Sequence, residues 1–170
     1  GADDNVIAGH VELNNKFHIA EIQEGKWDPG VLIKNSIQMA VRLEASLIGV
    51  EDVAYQQTLL YWFERHFREQ SITGIQTVGL KTGNSSKERR IRTFIKEQYA
   101  GDFAFLRDID RMKYTWQAAA YRSGKKKNRD DILDACAMGL KVRNEFRHLR
   151  QKKKPEAQGN LKLVMHNTPF

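Results

Sequence analysis

Asn128-Arg129-Asp130-Asp131-Ile132-Leu133-Asp134-Ala135-Cys136-Ala137-Met138 is the stretch on which the reading of the chain turns. Asn128 suits a helix N-cap. From Ile132 onward the run is apolar on nearly every face, which predicts a helix that starts at the surface and dives into a core. Asp130, Asp131 and Asp134 crowd one edge of its first turn, because residues three and four apart are neighbours on a helix. Acidic side chains there complement the helix dipole, and often do nothing else. Three of them at the mouth of a buried helix are more than a cap needs. Held close, carboxylates raise one another's pKa unless a cation lies between them. A hard divalent ion that prefers oxygen ligands resolves that conflict. The expectation is half of a metal site, with the other half elsewhere in the chain.

A chain of 170 residues with 41% apolar side chains fits one α/β or α+β domain. Its 28 basic and 21 acidic residues give a net charge of +7, which suits a polyanionic partner, nucleic acid first. Neither a signal peptide nor a long apolar span stands out, so a membrane role is not expected. Cys136, the only cysteine, makes no intramolecular disulfide and reads as a small buried hydrophobe.

Working outward from that helix, Val6 to Leu13 and Phe17 to Ile22 flank the polar turn Asn14-Asn15-Lys16 and predict a hairpin. Asp28-Pro29-Gly30 opens a helix to about Ser46, with Val31, Ile33, Ile37, Ala40, Val41 and Leu47 in its apolar stripe. Leu47 to Val53 reads as a buried strand of a mainly parallel sheet. Glu51 lies at its C-terminal end, where open α/β sheets form their ligand crevice, although an acidic residue at a strand end also simply meets water. Tyr55 to Gln70 is a helix on Leu59, Leu60, Trp62, Phe63 and Phe67, and Ile72 to Leu80 is a strand.

Gly83 and Lys87 lack the spacing of a G-x-x-x-x-G-K-[ST] phosphate loop. They belong instead to a polar turn, capped by Ser85 or Ser86, and to a basic helix reaching about Tyr99. Lys87 and Arg90 share a face of it, placed to track phosphates. Phe103 to Leu106 is a short strand, and Asp110 to Tyr121 a helix with Met112, Trp116 and Ala119 on its buried side. The basic loop Lys125-Lys126-Lys127 then leads into the aspartates, as either a solvated loop or a phosphate contact. The last helix runs to about Gln151, so residues 1–151 form one domain and 152–170 a basic tail. Leu161 to Met165 is a candidate edge strand within that tail.

This order of elements resembles a ribonuclease H-like nuclease, an α/β fold with a central mixed sheet flanked by helices. More narrowly, the chain resembles the C-terminal nuclease domain of the terminase large subunit of tailed bacteriophages and prophages. Gly1-Ala-Asp3-Asp4-Asn-Val-Ile7 resembles the family's Gly/Asp segment, and Ile48-Gly-Val-Glu51-Asp-Val-Ala-Tyr55 its acidic strand. Lys87-Glu-Arg-Arg90-Ile91 resembles its K-x-x-R-I helix, and Asn128-Arg-Asp130-Asp131-Ile-Leu-Asp134-Ala135 its closing D-D-x-x-D-A helix. The resemblance covers roughly residues 1–140.

The resemblance implies a Mg²⁺- or Mn²⁺-dependent endonuclease, with two ions, that cuts concatemeric viral DNA during genome packaging. It implies Glu51, Asp131 and Asp130 as catalytic metal ligands, and Asp134 as a further ligand or a group just behind them. Lys87, Arg90, Lys125, Lys126 and Lys127 are expected to contact double-stranded DNA. The implied partners are the ATPase domain of the same subunit, the small terminase subunit and the portal, in the cytoplasm of an infected or lysogenic bacterium. The family's first strand, which carries an aspartate, lies before the Gly/Asp segment, so either residues preceding Gly1 supply it or another segment fills its place. The 161–165 segment is the candidate for the strand, and Asp3 or Asp4 could approach the metals without being a secure substitute for its aspartate. The rival expectations are a resolvase or transposase core of the same fold, and a non-catalytic DNA-binding module.

Overall fold

The computed structural model describes residues 5–51, 56–81, 87–106, 111–125 and 128–149. Strands β1 (Asn5–Leu13) and β2 (Lys16–Gly25) form the expected hairpin. Asn14 and Asn15 both adopt positive φ, 52° and 59°, as a two-residue turn matched to strand twist requires, and asparagine tolerates that region best after glycine. The register slips between Gly9 and His10, which face Glu21 and Ile19 and leave Ala20 as a bulge. Helix α1 (Pro29–Arg42) begins as its sequence predicts, with the Asp28 carboxylate accepting the Val31 amide at 2.9 Å and proline in the first turn. It ends at Arg42, short of the predicted Ser46.

Strand β3 (Leu47–Glu51), helix α2 (Gln56–Glu69) and strand β4 (Gln76–Leu80) follow, with β3 and β4 parallel. Helix α3 (Lys87–Tyr99) leads to β5 (Phe103–Phe105), which pairs in parallel with β2. Helices α4 (Met112–Ala120) and α5 (Asp131–Glu145) complete the fold, followed by a 3-10 turn at Arg147–Leu149. The expected strand at 161–165, the tail 152–170, Asp3 and Asp4 lie outside the described residues.

The strands make two hydrogen-bonded ladders, β1-β2-β5 and β3-β4. Helices hold the ladders side by side. Gly9 accommodates Met39 of α1 and Leu43 just past its end, whereas the next residue, His10, lies against Gly139 of α5. Successive residues of a strand point to opposite faces, so α1 and α5 cover β1 from its two sides. Helix α5 also reaches the other ladder, where Val142 lies over Gly49 of β3. A side chain at Gly139 would collide with the His10 ring, so the close approach of α5 depends on that glycine.

The core divides in the same way. Phe17, Ile19, Ile91, Phe94, Phe103, Tyr114, Ile132, Leu133 and Cys136 pack on the α5 side. Ile33, Ile37, Val50, Leu59, Phe63 and Phe67 pack around α1 and α2. Cys136 is free and buried as expected.

The structure corrects the predicted face of α4. Met112 and Trp116 are 70% and 75% exposed, and Ala119 also faces solvent. The helix is rotated so that Tyr114 and Gln117 point inward. Tyr114 packs edge-on to Phe94 and Phe105, and its hydroxyl donates to Gln98. The stripes of α1 and α2 are narrower than predicted, because Val31, Val41 and Trp62 are exposed.

Candidate active site

Helix α5 begins without the predicted cap. Asn128 does not cap it. Its side chain closes the preceding loop, accepting from the Arg122 amide at 3.2 Å and donating to the carbonyls of Arg122 and Lys125 at 2.9 and 3.2 Å. Asp130 takes the N-cap position but makes no side-chain cap bond. The Ile132 amide instead donates to Gln117 Oε1 of α4 at 3.0 Å. A side chain from another helix therefore satisfies a first-turn donor, and the aspartates are not consumed in capping.

The carboxylates face the first turn of α3. Lys87 Nζ lies 2.7 Å from Asp130 Oδ1 and 3.0 Å from Asp131 Oδ1. One turn further on, Arg90 grips Asp134 with a planar fork: Nε to Oδ1 at 3.0 Å and Nη2 to Oδ2 at 2.8 Å. The Arg90 Nη2 atom also stands 3.7 Å from Glu51 Oε1, at the end of β3. Residues far apart in sequence thus converge at one point. Strand β3 brings Glu51, α5 brings the three aspartates, and α3 brings the two cations.

Burial separates the two cation–carboxylate pairs. The Arg90 and Asp134 side chains are 9% and 7% exposed, whereas Lys87 is 40% exposed. Burial raises the Glu51 carboxyl above its ordinary range and the Asp134 charge adds to this, while Arg90 and Lys87 act against it. Partial burial disfavours the charged form of Lys87, but its bonds to Asp130 and Asp131 outweigh that and raise its pKa. Among the described residues, no three His, Cys, Asp or Glu side chains are gathered as a ready-made metal shell. The carboxylates are drawn instead toward Lys87 and Arg90.

Lysine 125 is exposed in the loop that Asn128 closes. Lys126 and Lys127 lie outside the described residues. Lys87 and Arg90, expected to contact DNA, both have carboxylate partners.

Four neighbours of the site escaped the sequence reading. Gln117 caps α5. Glu88 accepts a hydrogen bond from Ser123, tying α3 to the loop before α5. Tyr121, at the end of α4, has its phenol pKa raised by burial and by the nearby charges of Glu88 and Asp130. Sequence carries no signal for Gln117, because the phase of α4 that turns it inward is set by packing.

No protein-family model matches the chain, and no curated protein matches it in sequence. In three dimensions it is similar to the crystal structure of the fowlpox virus Holliday junction resolvase. That similarity has 16% sequence identity and a TM-score of 0.53, and covers 86% of this chain and 94% of the viral one. It establishes the fold: an α/β architecture like that of the viral protein, with β-ladders flanked by helices. Among the described residues no helix is long and apolar enough to cross a membrane.

Proposed function

We propose that the chain is a divalent-metal-dependent DNA endonuclease. The observation that carries this reading is the convergence of Glu51 with Asp130, Asp131 and Asp134 around two cationic side chains. Carboxylate oxygens are the kind of donor that a hard ion takes. Asp130 and Asp131 each already present an oxygen to one positive centre, the Lys87 nitrogen. Glu51, Asp130 and Asp131 would hold Mg²⁺ or Mn²⁺, with Asp134 fixed behind them by Arg90. Bound there, such ions supply a nucleophilic water at neutral pH and stabilise the charge on the leaving oxygen.

The chain's own residues would do the rest. Arg90 fixes Asp134 and draws Glu51 toward the α5 turn. Lys125, with Lys126 and Lys127, would contact backbone phosphates. The net charge of +7 supports affinity that is independent of sequence and falls with salt.

Two substrates are each favoured by a specific observation. The D-D-x-x-D-A and K-x-x-R-I patterns support a terminase nuclease cutting concatemeric DNA, working with an ATPase domain, a small terminase subunit and a portal. The fold likeness over most of a Holliday junction resolvase supports a four-way junction. Cleavage of a linear duplex and of a synthetic four-way junction, side by side in Mn²⁺, separates them. Cutting of linear DNA supports the packaging reading, and paired cuts confined to the junction support the resolvase reading. Failure to cut either contradicts the endonuclease.

A further inference from the structure

The two basic residues of α3 hold the carboxylates differently. Arg90 uses both of its fork nitrogens on both oxygens of Asp134, in a setting almost closed to solvent. Separating that pair strands a buried charge. Lys87 meets one oxygen from each of Asp130 and Asp131, on a flexible stem that is 40% exposed. An ammonium is a compact, hydrated point charge that leaves such a position readily, unlike a guanidinium fork.

We propose that Lys87 is a resident counter-ion that occupies the position of a catalytic metal between Asp130 and Asp131, and is displaced when a divalent cation enters. This inference rests on the endonuclease reading and adds a competition that the reading does not require. Two neighbouring carboxylates stay together without metal because the Lys87 ammonium between them offsets half of their charge. A divalent ion seated between the same two oxygens takes the space of the ammonium, which lies 2.7 and 3.0 Å from them, and repels its charge. Lys87 must swing outward, and its exposure leaves it room to do so. Arg90 stays, because it holds Asp134 rather than the two oxygens in contention. Metal entry would therefore convert an internal ion pair into a free cation at the mouth of the site, where a phosphate approaches.

The direct experiment is Mn²⁺ binding to the whole chain by calorimetry, for the native protein, Lys87→Met and Asp131→Asn. Lys87→Met is expected to bind Mn²⁺ about fivefold to tenfold more tightly, the scale of releasing a partly exposed pair of ion contacts. Asp131→Asn is expected to bind more weakly. A second measurement needs no variant. The side-chain ammonium resonance of Lys87, followed by NMR during Mg²⁺ titration, should change from a hydrogen-bonded to a solvent-exchanging signal as the ion binds. Equal or weaker Mn²⁺ binding by Lys87→Met, or a Lys87 signal unchanged at saturating Mg²⁺, overturns the inference while leaving the endonuclease reading intact. Absence of binding by the native protein and by Lys87→Met overturns both.

Discussion

Arg90 and Asp134 are paired through two parallel hydrogen bonds of 3.0 and 2.8 Å, with both side chains buried, on helices separated by 44 positions in sequence. The pair fixes the first turn of α5 against α3, and a further Arg90 contact, 3.7 Å to Glu51, links the turn to the end of β3. A buried ion pair of this kind is costly to break from one side, because the surviving charge has no water to replace its partner.

Asp134→Ala is therefore expected to destabilise the protein by about 3–5 kcal/mol, as is Arg90→Ala. The double substitution should cost less than the two single costs added together. Urea denaturation of the three variants measures this. Full additivity would show that the pair does not act as a unit.

Gln117 gives the second expectation. Its carbonyl accepts the Ile132 amide, and Ile132 is fully buried, so no water can substitute. Gln117→Leu should cost about 1–3 kcal/mol for the orphaned amide. Its neighbour Trp116, exposed to solvent, should tolerate alanine within about 0.5 kcal/mol. Equal effects at the two positions would contradict the observed rotation of α4.

The third concerns pH. His10 is partly buried, packed against Gly139 and stacked on Phe17, and its Nε2 is buried with no hydrogen-bond partner among the described residues. Burial lowers its pKa to about 4, partly offset by a backbone bond to Ala8. In the unfolded chain the ring takes a proton near its ordinary value of 6.5, so the unfolded state binds more protons between those values. Stability should thus fall as pH drops from 6.5 toward 4, by about 3 kcal/mol from this residue. Comparing the pH dependence of unfolding with that of His10→Asn checks it. An identical slope in both proteins would remove His10 from the account.

Much of the architecture was legible because local chemistry and tertiary structure agree. Asn14-Asn15 wants positive φ and receives it, and Asp28-Pro29 starts α1 where its cap and ring predict. Glu51 stands out in sequence at a strand end and the 130–134 turn at a helix mouth, and Arg90 contacts both Glu51 and Asp134. The rest was hidden for a physical reason. The phase of α4 is ambiguous in nine residues with apolar side chains on both sides, and only contacts with α3 and α5 decide that Tyr114 and Gln117 turn inward. Asn128 has the chemistry of a cap, but the loop back to Arg122 claims its side chain first. Lys87 and Arg90 looked like phosphate ligands because sequence shows their charge and spacing. It does not show that carboxylates 44 positions away would reach them.

The central claim is that Glu51 and the aspartates of α5 carry metal-dependent cleavage of DNA. The measurement that tests it most directly is nicking of supercoiled plasmid in Mn²⁺ by the native chain, Glu51→Gln and Asp131→Asn, each first shown to be folded by circular dichroism. The account predicts cutting by the native chain that EDTA abolishes, and a loss of at least about a hundredfold in both variants. Cutting by either folded variant at the native rate would contradict it.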